Sequence, residues 1–155
     1  MAGGQIRVAP LPSTSIEEAL PLFAGYQRFY GAEPDDDRNR AFFERFVDPS
    51  PHGLLLGAWD RGQLVGFACL YWTQSSIAAA DIVYLSDLFV APDARRLGAG
   101  TALLNACLDV AQGRGAHHLE GLTATDNLTA QRVYDRVPGV ERSAWYGYEV
   151  RRGLR

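Results

Sequence analysis

Apolar and polar positions along this chain alternate between two periods, and the changes of period mark the elements. Ile6-Arg7-Val8 alternates as a strand does, and Pro10 and Pro12 end it. Ser15-Ile16-Glu17-Glu18 has the form of a capping box, in which Ser15 and Glu18 satisfy each other's orphan N–H groups. It predicts a helix from about 16 to 30, with Leu20, Phe23, Ala24, Gln27 and Tyr30 on one face and a kink allowed at Pro21. After Gly31 comes an acidic loop, Glu33-Pro34-Asp35-Asp36-Asp37, then a short helix from about 38 to 47 carrying Phe42, Phe43 and Phe46. Beyond Pro49-Ser50-Pro51, Leu54–Trp59 and Gln63–Trp72 read as strands joined by a hairpin turn at Asp60-Arg61-Gly62.

A third strand, Asp81–Val90, is rich in β-branched and aromatic residues, and Ala91-Pro92-Asp93 breaks it. The apolar spacing of Ala102, Leu103, Leu104, Ala106, Cys107, Leu108, Val110 and Ala111 is then helical, ending near Gly113–Gly115. His118–Thr123 reads as a further strand and 127–136 as a helix stopped by Pro138-Gly139. Trp145–Val150 has the look of a closing strand. There is no internal repeat and no low-complexity segment.

Composition narrows the class. A length of 155 residues, 47% hydrophobic and 21% charged, suits one soluble domain spanning 1–155. No apolar run reaches the roughly 20 residues of a membrane helix. The first residues lack a charged and then apolar leader, so a cytoplasmic location is expected. A net charge of −3 without a basic tract argues against nucleic acid as the main partner. Cys69 and Cys107 have no CxxC spacing and no neighbouring His pair, so they read as buried thiols and no metal site is expected.

The segment Arg95-Arg96-Leu97-Gly98-Ala99-Gly100-Thr101 lies between a strand and a helix. It leaves unpaired N–H groups at the positive end of the helix dipole, and its glycines allow close approach to the backbone. That chemistry suits a phosphate or pyrophosphate. A plain strand-turn-helix with a solvated Arg pair fits the spacing equally well. The segment has neither the Lys-Ser/Thr of a P-loop nor the third glycine of GxGxxG.

Arg95-x-x-Gly98-x-Gly100, following a strand that ends Asp87-Leu88-Phe89-Val90-x-Pro92, resembles the acyl-CoA signature of the GNAT superfamily of acyl-CoA N-acyltransferases. Downstream, Asn127-x-x-Ala130-x-x-x-Tyr134 is similar to the family's second cofactor-side helix. The resemblance covers 53 to the C-terminus. It implies an α/β fold of the α+β kind: a mixed, mainly antiparallel sheet with splayed middle strands and helices on both faces, in the order β-αα-βββ-α-β-α-β(β).

It also implies acetyl-CoA as cofactor. The pyrophosphate would meet Arg95, Arg96, Leu97, Gly98, Ala99, Gly100 and Thr101. The pantetheine would lie beside Leu88, Phe89 and Val90, where a backbone N–H would polarise the thioester. Asn127 would bond the pantetheine or neighbouring backbone, with an N-cap role equally open, and Ala130 and Tyr134 would complete that side. Tyr134 matches the family's usual acid, which protonates the departing thiolate. Asp87 aligns with an acidic position of the spermidine/spermine acetyltransferases, whose preceding Glu is here Ser86. Asp87 would deprotonate the amine or bind the ammonium, or else bond backbone at a bulge. His52 is an alternative base, and His117 and His118 read as surface residues.

The acceptor is expected against Tyr26, Tyr30, Asp87 and Trp72, with Phe29, Tyr71, Trp145 and the 33–37 loop as further candidates. That loop is either a solvated turn capping its helix or a field attracting a cation. Two features depart from the family pattern: Arg96 stands where a glycine is common, and the run from Tyr134 to Gly139 is one residue longer. The implied activity is acetyl transfer to the primary amine of a small molecule by direct attack in a ternary complex. Alternatives are a protein or peptide N-acetyltransferase and a non-catalytic CoA-binding module. Neither nucleic acid nor membrane is an expected partner, and a homodimer is left open.

Overall fold

Turn chemistry and alternation build most of this fold. The computed structural model describes residues 4–153, which divide into two compact units on either side of the Leu122–Thr123 bond. The first unit is one five-stranded sheet in simple sequence order. Its strands are β1 (Arg7–Pro10), β2 (Gly53–Asp60), β3 (Gln63–Ser75), β4 (Ala80–Val90) and β5 (Leu119–Gly121). The β2–β3 hairpin closes through Arg61 and Gly62 at φ 51° and 84°. Two successive positive φ values give the loop the twist that antiparallel strands require. β1 to β4 pair antiparallel, and β5 joins β4 in parallel.

The helices α1 (Ile16–Phe29), α2 (Asp36–Phe43) and α3 (Ala99–Gly113) cover the two faces. On one face Phe23, Phe43 and Phe46 pack with Leu55, Phe67, Cys69 and Phe89 in the main core. On the other, a side chain at Gly66 would meet Leu103 of α3 at 3.3 Å. Neighbouring residues Gly66 and Phe67 therefore serve opposite faces, as strand periodicity demands. This is the mixed sheet with helices on both faces that the resemblance implies.

Three local expectations change. Ser15 makes no side-chain cap, because Ser13–Ser15 already form a 3₁₀ turn that runs into α1. Glu18 instead accepts from the Leu64 N–H at 3.0 Å and ties α1 to β3. Pro21 lies inside α1 without ending it. The second helix begins earlier than expected, because Asp35 caps it by accepting from the Arg38 N–H at 2.8 Å. It finishes as a 3₁₀ turn, Glu44–Phe46. Gln27 and the fully buried Asn39 exchange two amide hydrogen bonds, 2.7 and 2.9 Å, and so lock α1 to α2.

The second unit holds α4 (Leu128–Asp135). Asn127 caps it, its side chain accepting from the Ala130 N–H at 3.2 Å. The expected closing strand does not form: 145–150 is irregular, and Trp145, Tyr146, Tyr148 and Val150 are exposed. Alternating aromatics make a strand only when a neighbouring edge completes the ladder, and this segment joins none among the described residues.

Candidate active site

Among the described residues, Asp87 is one of two buried polar residues, at 8% exposure. The register around it explains what it meets. Cys69 of β3 faces Asp87 while Leu70 faces Leu85, so Ser86 is an extra, bulged residue in β4. A bulge lets two consecutive side chains serve one face of a sheet. Here the Ser86 Oγ lies 3.4 Å from the Asp87 Oδ1. From α1, the Tyr26 hydroxyl donates to the Ser86 carbonyl at 3.5 Å, near enough to the Asp87 carboxylate for its O–H to favour the charged form.

Burial holds the Asp87 carboxyl above the ordinary carboxylate range, and the hydrogen bonds from Tyr26 and Ser86 pull the other way without cancelling it. Burial, followed by the Asp87 charge, pushes the Tyr26 phenol upward. Burial pushes Tyr71 up to about 12 and lifts Tyr84. The result is a carboxylate of raised basicity among phenols that keep their protons at neutral pH. Such a group is suited to accept a proton.

Directly after Asp87 the sheet opens. β5 pairs with β4 only at Val83, Tyr84 and Leu85. Among the described residues, Leu88–Val90 thus have β3 on one side and no strand on the other. The Ala91 N–H donates to the Val65 carbonyl of β3 at 2.9 Å. Alternation then turns the backbone groups of Leu88 and Val90 toward the open edge. The Arg95 Nε takes up the Val90 carbonyl at 3.2 Å.

The glycine loop follows. The first bond of the α3 ladder runs from the Ala102 N–H to the Gly98 carbonyl, so the N–H groups of Ala99, Gly100 and Thr101 lie outside it. A methyl group added at Gly98 would meet nothing within 4 Å, and one at Gly100 only the Val90 Cγ2 at 3.9 Å. The backbone is open where an anion would approach. Arg96 takes φ 75°, the left-handed conformation that normally favours glycine, and so does the work of the glycine it replaces. Leu97 and the Arg96 side chain are exposed. Free N–H groups, an open approach and a guanidinium are chemistry that fits a pyrophosphate.

The other candidates divide. Tyr30 sits at the end of α1 with its ring 5.2 Å from that of Tyr26, and Phe29 packs on Tyr30. Tyr71 pairs with Tyr84 across the strands, rings 6.2 Å apart. These stand on the Asp87 face. Trp72 does not: one residue along β3 it turns to the opposite face, where the Arg114 guanidinium covers its ring at 3.7 Å. His52 is exposed, and His117 and His118 lie 2.9 Å apart, ring nitrogen to ring nitrogen, before β5. Asp35 and Asp37 are engaged locally, on the α2 cap and on Arg40. Both cysteines are buried, and burial pushes both thiols up. In the second unit, Tyr134 lies in the last turn of α4, half-buried. Sequence reasoning allowed a bulge at Asp87 but missed the side-chain contact with Ser86, which depends on the strand register.

Residues 19–139 match the model of the acetyltransferase (GNAT) family. An uncharacterized N-acetyltransferase of Bacillus subtilis (strain 168), YhfO, is 37% identical over 116 residues, covering 75% of this chain and 77% of that one. The crystal structure of a probable acetyltransferase superimposes with a TM-score of 0.79 at 28% identity, over 94% of this chain and 96% of the other. An aminoglycoside N-acetyltransferase, AAC(6′)-Iy, solved in complex with CoA, shares the fold with a TM-score of 0.78 at 21% identity, over 96% of each chain.

Proposed function

The chain belongs to the acetyltransferase (GNAT) family, and from that premise we propose that it acetylates the primary amine of a small molecule, an amine or diamine, by direct attack in a ternary complex. It is an N-acetyltransferase, and its acyl donor is acetyl-CoA. Because the family match crosses both compact units, we read the whole chain as one acetyltransferase domain. The observation that carries the reading is the adjacency, on one strand, of the buried Asp87 and the unpaired edge at Leu88–Val90.

Bound acetyl-CoA supplies an activated acyl group as a thioester. The N–H groups of Ala99, Gly100 and Thr101, with Arg95 and Arg96, hold the negative diphosphate. The outward backbone groups of Leu88 and Val90 align the pantetheine, and an N–H there stabilises the oxygen on which charge develops. Asp87 accepts the ammonium proton, leaving a neutral nucleophile. Tyr26 and Tyr30 flank the acceptor, whose apolar part suits their rings. Trp72, on the opposite face, has no part in it. Tyr134 would deliver its phenolic proton to the leaving sulfur. What supports this role is the resemblance of Asn127-x-x-Ala130-x-x-x-Tyr134 to the family's second cofactor-side helix, which Asn127 caps.

The test is incubation with acetyl-CoA and a panel of monoamines, diamines, amino acids and lysine- or alanine-terminated peptides, following release of free thiol. Thiol release with small amines, matched by acetylated product, is expected. Turnover on peptides alone would overturn the small-molecule reading.

A further inference from the structure

We propose that Ser86 and Tyr26 are positioning residues for Asp87, Ser86 through its hydroxyl at the carboxylate and Tyr26 through its hydroxyl at the adjoining Ser86 peptide. The inference rests on the reading of Asp87 as the base. The bulge is the structural reason for it. In an unbroken strand Ser86 would point to the face opposite Asp87. The extra residue in β4 brings both to one face, with Ser86 Oγ at 3.4 Å from Asp87 Oδ1. Tyr26 comes from α1, 60 residues earlier in the chain, and its hydroxyl reaches the same peptide, at 3.5 Å from the Ser86 carbonyl. Its ring is fixed by edge contacts with Phe67 and Phe89, centroids 5.8 and 6.1 Å away.

The titratable groups facing Asp87 are Tyr26 from α1, Cys69 and Tyr71 from β3, and Tyr84 from its own strand, with Tyr30 one turn from Tyr26. None of these carries positive charge. Hydroxyl donors are therefore the means by which this unit can favour the carboxylate over the acid. Burial raises the affinity of the carboxylate for a proton, and the two donors limit that rise, so the group stays available as a base.

The experiment is a carbon NMR titration of the protein labelled at aspartate carboxyls, with Asp87 identified by the signal lost in Asp87→Asn. The titration midpoint of Asp87 should move to higher pH in Ser86→Ala and in Tyr26→Phe. It should stay at the parent value in Ser86→Thr, which keeps the hydroxyl. Tyr26→Phe keeps the ring and its packing, so both changes are compatible with folding. The acid limb of kcat/KM should move in the same direction. Below the parent midpoint, kcat/KM relative to each variant's own plateau should fall roughly threefold to tenfold. An Asp87 midpoint unchanged or lowered in both folded variants would overturn the proposal. A shifted midpoint with an acid limb that survives Asp87→Asn would uphold the positioning of the carboxylate and overturn the reading of Asp87 as the base.

Discussion

At the scale of single residues, the proposed reaction moves two protons: Asp87 would take one and Tyr134 would give one. The Asp87 carboxyl is held above its ordinary range by burial, which has a consequence for stability. In the pH window between its ordinary and its raised value the folded state binds more protons than the unfolded state. Stability contributed at this site is therefore present at low pH and lost as pH rises through the raised value. Asp87→Asn should accordingly raise the Tm at neutral pH, with the gain shrinking toward zero below the ordinary carboxylate range. Thermal unfolding of the two proteins across pH checks this, and an equal or lower Tm for the variant at neutral pH would contradict it. Tyr134→Phe removes a proton while keeping a ring. Single-turnover acetyl transfer should fall by about 10²–10⁴, with CoA affinity unchanged. A single-turnover rate within twofold of the parent would remove Tyr134 from the chemistry.

At the scale of elements, strand β4 and the start of α3 form the proposed cofactor side, and one glycine separates charge from fold. A side chain at Gly100 meets only the Val90 Cγ2, at 3.9 Å. An Asp in the first turn of a helix also favours the dipole. Gly100→Asp should therefore fold with undiminished stability yet lose at least about tenfold in CoA affinity, about 1.4 kcal/mol. Calorimetric titration reads the affinity, and an unchanged value would remove this loop from the site. The acidic loop before α2 has a structural duty instead. Asp35 caps the helix, so Asp35→Ala should cost about 1 kcal/mol in denaturant unfolding while leaving KM for a dication unaltered. A rise in that KM would restore the loop as a steering field. These local devices were legible in the sequence where the chemistry is short-range. Arg61-Gly62 announced a hairpin, and Arg95–Thr101 announced a strand-to-helix turn. The capping box at Ser15 misled, because the preceding 3₁₀ turn and the sheet at Leu64 compete for its parts.

At the scale of the whole molecule, the sheet makes neighbours of residues that the sequence keeps apart. Tyr26 meets Asp87 only because α1 packs on the face that β4 presents, and Ser86 joins them only because the β3–β4 register slips by one residue. Neither contact follows from local spacing: the sequence could place Tyr26 and Asp87 at one acceptor site, but not the contacts that join Tyr26, Ser86 and Asp87. Trp72 shows the converse: an aromatic beside Tyr71 in sequence stands on the opposite face in the fold. The segment 145–150 shows that alternation does not create a strand without an edge to pair with. What joins these scales is the proposed role of Asp87, next to the open edge of β4, as the base for acetyl transfer to a small amine. The most direct test of that role is the pH dependence of single-turnover acetyl transfer in the parent and in Asp87→Asn. The acceptor should be a weakly basic amine whose own titration lies outside the range. The rate in the variant should fall by about 10²–10⁴ and the acid limb should disappear. A variant that keeps the limb and turns over within twofold of the parent would contradict the claim.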